Sequence, residues 1–546
     1  MLAIPRRWTI MAALAGLVAA AGGTAAFGQG EPARPAGEAE KPVALKKYIL
    51  GATYCNQCHT HPENYQGIKS PLLCRMLEGS IWTQNDKHKL ASKALTGDRG
   101  RAMGDRLGID VSESRACISC HGIIKDEGVD SSFFDDPVAD GVTCVACHGA
   151  FDEWAKQHTT PNKPDWRKLT RQQKQDRFGM TDLWDPVTRG QKCVSCHIGS
   201  PEEEKVVTHA MYAAGHPPLS GIEVATFSDA QPRHWQYLRE KKDEIQKNLG
   251  VNITKPKREQ TELVAVSGIV ALGEVMRLFS AQAAGDGLVK APETHWPDFA
   301  RFDCSGCHHD LQVPPNWRQQ TRGFSGGYGR PMIPTWPAVL VQLGITVAYP
   351  DVQKDAGKRE ESNRLLDQKV DAFFTATKGR PYGDPKPAAE AASELADWAE
   401  SVAKVLRDGV KDPTKTVVDG PMAIRLLHQL CDMAQSNTLD YDASRQIAWA
   451  FRAIYNESHQ INPREIPDPA IPQILDAIDK QFTIALPGAG KQEEILKTLM
   501  LRLKSLAEFD PVTFQSQFAA LRSRLPSIQF APAYPAFRGA LRYPPS

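Results

Sequence analysis

Apolar residues recur at helical spacing throughout the C-terminal part of the chain. From about residue 331 onward they return every three or four positions, which is typical of amphipathic helices. Proline, glycine and aspartate separate these segments, and Pro472 and Pro511 suit the first turns of their helices. The pattern predicts helices over residues 388–406, 422–435, 444–455, 472–483, 492–506 and 511–521.

The preceding segment, residues 47–330, has few long periodic stretches and many glycines and prolines. Its most apolar part, residues 263–279, carries Glu274 and Arg277, so it is too short and too charged to span a membrane. A buried helix is therefore predicted there. Because no segment favours a β-sheet, the predicted fold class is mainly α.

The first 28 residues have the pattern of an export signal. Arg6 and Arg7 precede an apolar stretch over residues 8–26, and small residues follow, with Gly28 near a plausible cleavage point. An uncleaved N-terminal anchor is the alternative, because the stretch approaches spanning length. Residues 29–46 are rich in proline, alanine and glutamate and are predicted to form a flexible leader.

Charge adds little to this picture. The formal net charge of the chain is +1, and removal of the signal takes away two arginines and no acids, which leaves −1. No basic run indicates a nucleic-acid partner.

The cysteines carry the chemistry. Ten of the twelve lie in five copies of Cys-x-x-Cys-His, and only Cys74 and Cys431 lie outside them. Two thiols three positions apart on a helical turn can form thioethers to one porphyrin, and the following histidine can bind its iron, so each copy predicts a covalently attached haem c. The predicted attachment residues are Cys55, Cys58, Cys117, Cys120, Cys144, Cys147, Cys193, Cys196, Cys304 and Cys307, and the proximal ligands are His59, His121, His148, His197 and His308.

Two other uses of paired cysteines fit this pattern poorly. Zinc requires two such pairs per ion, whereas five is an odd number. Neither a zinc site nor a disulfide framework explains a histidine directly after every second cysteine, and the chain is much longer than disulfide-rich domains.

Second axial ligands are expected among the ten remaining histidines, eight of which lie within residues 47–330. We expect this role for His88, His158, His209, His216 and His234. A helix would place His209 and His216 two turns apart on one face, where they would serve two irons, and Pro217 would end that helix.

Other residues remain open alternatives. His61, His295 and His309 are further candidate ligands, as are Met76 and Met211, whereas His428 and His459 are expected to be structural. Histidine is the better supplied ligand, so mostly bis-histidine irons of low potential are expected. Four basic residues near the motifs are candidate partners for haem propionates: Arg75, Lys192, Arg233 and Arg301.

At these residues the chain resembles a known family. Residues 51–54 (Gly-Ala-Thr-Tyr) before the first motif, Trp82 with His88, residues 141–149 with His158 downstream, and residues 214–217 (Ala-Gly-His-Pro) carry the resemblance. Segment 51–220 resembles multihaem cytochromes of the cytochrome c-554 type, which are related to hydroxylamine oxidoreductase and pentahaem nitrite reductase. The resemblance implies closely stacked haem pairs, mostly bis-histidine irons and periplasmic electron transfer, often in the redox chemistry of nitrogen compounds.

The chain departs from that family in a fifth motif at Cys304 and in the long helical extension. The pentahaem nitrite reductases replace one proximal histidine with lysine, and all five motifs here end in histidine, which counts against that activity.

Together these features predict four segments: a signal peptide over residues 1–28, a leader over 29–46, a pentahaem cytochrome domain over 47–330 and a haem-free helical domain over 331–546. The favoured function is periplasmic electron transfer with other redox proteins or with a membrane quinol or cytochrome complex. The general secretory route is favoured over the twin-arginine route. Membrane association is expected only if the N-terminal segment stays uncleaved.

Two other functions remain open. One is an oxidoreductase that acts on nitrite, hydroxylamine or nitric oxide at one open-coordinate haem. The other is a haem-bearing subunit that residues 331–546 recruit into a larger complex.

Overall fold

Helices form nearly all of the regular structure in the computed structural model of this chain. The structure describes residues 51–65, 73–124, 140–149, 152–159, 165–251, 256–285, 296–302, 304, 307–308, 330–350, 356–379, 382–411, 418–436, 439–482 and 508–527. Within these ranges no β-strand occurs, and two isolated bridges join Ser200 to Lys205 and Phe302 to Pro331. The predicted mainly α fold class is confirmed.

The motif-bearing part of the chain contains mostly short helices. They are α1 (Ala52–His59), α2 (Glu78–Asn85), α3 (Lys93–Thr96), α4 (Asp98–Leu107), α5 (Arg115–His121), α6 (Cys144–His148), α7 (Asp152–Thr159), α8 (Arg171–Phe178), α9 (Pro186–His197), α10 (His209–Ala214), α11 (Val224–Ala230), α12 (Asp243–Asn248) and the longer α13 (Glu259–Ala284). Short 3₁₀ helices cover Pro62–Tyr65, Lys87–Leu90, Trp166–Lys168, Leu238–Glu240 and Phe299–Arg301.

Longer helices follow in the C-terminal part. They are α14 (Thr335–Ala338), α15 (Val341–Ala348), α16 (Ala356–Lys378), α17 (Pro385–Lys411), α18 (Gly420–Ala434), α19 (Tyr441–Ile461), α20 (Ile471–Asp479) and α21 (Pro511–Arg522). Five of the six predicted helices are therefore found, and prolines lie in the first turns of α20 and α21. The sixth, over residues 492–506, lies outside the described residues.

Helix α13 is the centre of the hydrophobic core. It packs against α9, α15 and α17, and its residues Val264, Ala265, Leu272 and Met276 are fully buried. By length and composition it could cross a membrane, but 89% of its apolar window is buried inside the fold. A helix that is apolar all round and covered on every side is a core helix, so the prediction for residues 263–279 is confirmed.

Buried ion pairs join the motif-bearing segment to the C-terminal helices. Arg239 contacts the buried carboxylate of Glu457 at 2.9 Å, and Arg258 contacts Glu465 at 2.8 Å. Glu457 also accepts from the backbone amides of two residues at the start of α13. Residues 46–546 form one compact unit, and the division at residue 330 stays a prediction. Residues 1–46 and the tail from 528 lie outside the described residues.

Gly268 on α13 gives a direct test of this packing. A Cβ atom there would lie 2.6 Å from backbone atoms of Leu340 and Val341. We expect Gly268→Ala to destabilise the protein by about 1–3 kcal/mol, because the backbone at this helix junction has no room to yield. Chemical denaturation followed by far-UV circular dichroism measures the change.

Gly357→Ala is the matched control, since Gly357 is an exposed glycine on α16 with open space around it. That change is expected to stabilise by about 0.5–1 kcal/mol through helix propensity. Equal effects of the two substitutions would contradict the close approach of α13 to the junction of α14 and α15.

Candidate haem-binding site

Four of the five motifs end a helix, and in each the histidine is the last helical residue. These helices are α1, α5, α6 and α9, which end at His59, His121, His148 and His197. Aspartate and proline start α9, because Asp185 caps it through the amide of Thr188 and Pro186 occupies its first turn. Each pair of thiols therefore lies on one turn with the imidazole directly beyond it, as the thioether geometry requires.

The fifth motif shows the same local turn in its described residues. The amide of His308 donates to the carbonyl of Cys304 at 2.7 Å, which is a helical i to i−4 hydrogen bond. Cys304 and Cys307 are exposed, whereas the other motif cysteines are partly buried.

The motifs contact one another in a definite order. The thiols of Cys55 and Cys144 hydrogen-bond each other, which joins the first motif to the third. The thiols of Cys120 and Cys196 do the same for the second and fourth. The third and fourth motifs are close enough for Cys147 to act electrostatically on Cys193.

Four motif histidines face a histidine from a distant part of the chain. The ring centres of His59 and His158 lie 6.4 Å apart, those of His88 and His197 6.5 Å, those of His121 and His216 6.3 Å, and those of His209 and His308 6.3 Å. We call these the four histidine pairs. In every pair, the histidine outside the motif is one of the residues expected from the sequence to be a distal ligand.

This separation has a chemical meaning. A metal–imidazole bond is about 2.0–2.1 Å long and the ring centre lies roughly 1.2 Å behind the nitrogen, so two rings on opposite sides of one metal have centres about 6.4 Å apart. The rings are free to turn about that axis, so the interplanar angles from 25° to 87° are all compatible with it. The residues present therefore fit an iron between the members of each pair.

Four rings of the histidine pairs have a hydrogen-bond partner at Nδ1. Nδ1 of His59 lies 3.0 Å from the Glu78 carboxylate, and Nδ1 of His88 lies 2.9 Å from the Asp86 carboxylate. Nδ1 of His121 and of His216 each lie 2.8 Å from a backbone carbonyl. Such a bond fixes the ring orientation and makes Nδ1 the protonated nitrogen, as ligating histidines require.

Three of the candidate ligand rings are neutral at neutral pH, as binding to iron requires. Burial lowers the pKa of His148, His197 and His216 to about 4, so the neutral ring with its lone pair prevails at neutral pH. His59 differs, because hydrogen bonds with Cys74 and Glu78 raise its pKa to about 10. Iron must therefore displace a proton at His59 when it binds there.

The third motif differs from the others. Among the described residues, no second imidazole lies across from His148 at the separation of the four pairs. His234, expected from the sequence to be a distal ligand, acts on His148 electrostatically, and its Nδ1 atom is buried without a hydrogen-bond partner. A buried imidazole nitrogen left without a partner is costly, so this ring is also available to a ligand.

One expectation about local structure is wrong. His209 and His216 do not share one helix, because α10 ends at Ala214. Gly215, with φ of 119°, ends it before Pro217 is reached, since glycine tolerates this left-handed conformation. The two rings nevertheless face different motif histidines, as expected.

Several further histidines have other surroundings. His61 is exposed and bonds Glu63 at 3.0 Å, while His428 bonds the carbonyl of Pro526 at 2.9 Å, and His459 stacks on Tyr455. His295 and His309 lie outside the described residues. The positions of Glu78 and Asp86 beside ligand rings were not predicted from the sequence. Only Asp86 had a local signal, because an aspartate two positions before a histidine can bond its amide and ring.

Two of the basic residues predicted to bind haem propionates form ion pairs with carboxylates. Arg233 pairs with Glu240 at 2.7 Å, and Lys192 with Glu203 at 3.4 Å. The Nε atom of Arg301 is buried without a partner, although the same side chain donates to the carbonyl of Val207. Arg301 therefore fits an anionic group such as a propionate better than the two paired residues do.

Helix-terminal Cys-x-x-Cys-His motifs with opposed histidines define the class of c-type cytochromes. A family model described as cytochrome c554 and c-prime matches residues 54–149, a range that contains the first three motifs. The expected resemblance to this family is confirmed, and the match supports covalently bound haem c and an electron-transfer role. No curated protein and no solved structure matches the chain.

The histidine pairs predict the effect of removing one ring. We expect His216→Ala to convert one haem from low spin to high spin, because His121 would then face an empty position. Low-temperature EPR of the oxidised holoprotein measures the lost low-spin intensity, which should equal that of one iron. His459→Ala, which removes an exposed imidazole on α19, should leave the spectrum unchanged. An unaltered low-spin intensity in His216→Ala would refute the pairing with His121.

Proposed function

We propose that the protein is a periplasmic electron carrier that holds five covalently attached haems and transfers electrons between redox partners. The observation that carries this proposal is the set of four histidine pairs, each with its ring centres 6.3–6.5 Å apart. Irons bound by two imidazoles have no free position for a substrate and suit electron transfer rather than catalysis.

The contacts between motifs support transfer along one path. Their order is first, third, fourth and second, through the hydrogen bonds of Cys55 with Cys144 and of Cys120 with Cys196 and the electrostatic effect of Cys147 on Cys193. Helix α10 and the residues just after it extend this order to the fifth motif, since His216 faces His121 and His209 faces His308.

The chain's own residues hold the groups in place. The cysteines provide the covalent links, the paired imidazoles provide the axial ligands, and the hydrogen bonds at Nδ1 fix the orientation of the rings. Haem supplies a reversible one-electron couple whose potential depends on these ligands and on burial.

The cellular setting and the partners follow from the residues at the N-terminus and from the chemistry. An export signal over residues 1–28 would deliver the chain to the periplasm, where haem is attached covalently. Other redox proteins, or a membrane quinol or cytochrome complex, are the proposed donors and acceptors. Membrane association would follow only if that segment stays uncleaved.

Mass spectrometry tests the number of haems. We expect the intact mass of the mature protein to exceed that of the polypeptide by five haem groups. The double substitution Cys117→Ala and Cys120→Ala should remove one of them, because it deletes both thioether positions of the second motif. Cys431→Ala is the control, since this buried thiol on α18 lies outside the motifs and should leave the haem count at five. Bare polypeptide mass, or the same count in the double variant, would contradict the proposal.

A second candidate function rests on the third motif. Because no second imidazole among the described residues lies opposite His148 at the separation of the four pairs, an iron bound there would have room for a small ligand. An oxidoreductase acting on nitrite, hydroxylamine or nitric oxide would use this position, with neutral His234 and the Arg189 cation as the nearby groups that act electrostatically on His148.

Ligand binding distinguishes the two functions. If the third site is open, EPR of the oxidised holoprotein should contain one high-spin iron that becomes low spin when cyanide is added, and nitric oxide should bind one equivalent of reduced iron. If His234 closes that site, all irons should be low spin and neither ligand should bind. His234→Ala should then create the high-spin signal.

A further inference from the structure

The partners at Nδ1 divide the ligands into two chemical groups. Nδ1 of His59 and of His88 face carboxylates, whereas Nδ1 of His121 and of His216 face the backbone carbonyls of Ala91 and Pro217. One histidine pair thus has two neutral acceptors, and two other pairs each contain one ring that bonds a carboxylate.

Both carboxylates come from the two ends of helix α2. Glu78 is its first residue and Asp86 is the residue that follows its last. The helix thus lies between the site of the first motif and the site of the fourth, whose His197 is paired with His88.

Each carboxylate is fixed by further hydrogen bonds. Glu78 accepts from the amide of Arg75 at 2.6 Å through one oxygen and faces His59 through the other. Asp86 is buried with 4% of its surface exposed, and the same oxygen accepts from the amide and the ring of His88, both at 2.9 Å. The side-chain nitrogen of Gln231 also lies 2.8 Å from this ring nitrogen, where it competes with the Asp86 carboxylate.

A carboxylate has a stronger effect on a ligating ring than a carbonyl does. Hydrogen bonds to an ionised acceptor are roughly twice as strong as neutral ones, and they raise the basicity of the ring. A more basic imidazole stabilises ferric iron relative to ferrous iron, which lowers the reduction potential.

We propose that Glu78 and Asp86 are positioning residues that lower the reduction potentials of the haems attached at the first and fourth motifs relative to the haem at the second. Helix α2 thereby sets the potential difference between neighbouring sites, and the second motif, with its two carbonyl acceptors, takes the higher potential. This inference rests on the proposed haem-binding function.

Redox titration of the full-length holoprotein, followed by EPR and optical spectra, tests the inference in Glu78→Gln and Asp86→Asn. Each substitution replaces the carboxylate by a neutral amide of the same shape, and asparagine still caps the 3₁₀ helix at Lys87–Leu90. We expect each to raise the potential of one haem, a different one in each variant, by about a tenfold change in its reduction equilibrium, or about 59 mV.

Glu63→Gln is the matched control. Glu63 bonds Nδ1 of His61 at 3.0 Å, the same type of contact, but His61 belongs to none of the four histidine pairs. This substitution should leave every potential unchanged.

Haem content and low-spin EPR signals distinguish failure of this inference from failure of the proposed haem-binding function. If the variants carry five haems with unchanged low-spin signals and no potential moves, the inference is wrong while the haem-binding function stands. If the unmodified protein carries no haem, the proposed function itself fails. Glu78→Asp and Asp86→Glu keep the carboxylate and should leave the potentials close to those of the unmodified protein. A rise of about 59 mV in either of these variants would also overturn the inference, including where an amide variant loses haem.

Discussion

The constraint on which the rest of this structure depends is the opposition of two imidazole rings at a separation that suits one metal ion between them. Each histidine pair joins residues roughly 100 positions apart, so each iron would close a loop of that length. A permanent cross-link over such a loop constrains the unfolded chain by about 4–5 kcal/mol. Binding of iron would therefore be coupled to the folding of this segment.

The C-terminal helices hold the helix of the fourth motif in place. Helix α9, which carries the fourth motif, packs against α13, and Gln191 bonds Glu400 on α17 while Arg407 on α17 contacts Asp185 at the start of α9. The motif at Cys193 is thereby fixed to the main hydrophobic core. Through contacts between cysteines, the second and third motifs are in turn placed against the fourth.

The composition of the site could be read from the sequence, but its connectivity could not. The five motifs are local signals. Enrichment of histidine within residues 47–330 indicated the histidines of the four pairs that lie outside the motifs. Which ring faces which depends on contacts between residues far apart in the chain, for which a single sequence carries no signal. Helix α16 was missed because its charged residues obscure the apolar positions, and α10 was extended too far because Gly215 was not recognised as its end.

Helix α10 explains why the fifth motif belongs to the same system despite its distance along the chain. His209 begins this one-and-a-half-turn helix and His216 follows its end, and the two rings face the histidines of the fifth and second motifs. Arg99 and Arg106 bond the carbonyls of Gly215 and Ala214, which anchors this end of the helix to α4. His216 lies beyond the last helical residue, Ala214, so α10 and Gly215 together connect the two rings. The second and fifth sites are therefore connected through α10 and Gly215, whereas the first and fourth are connected through α2.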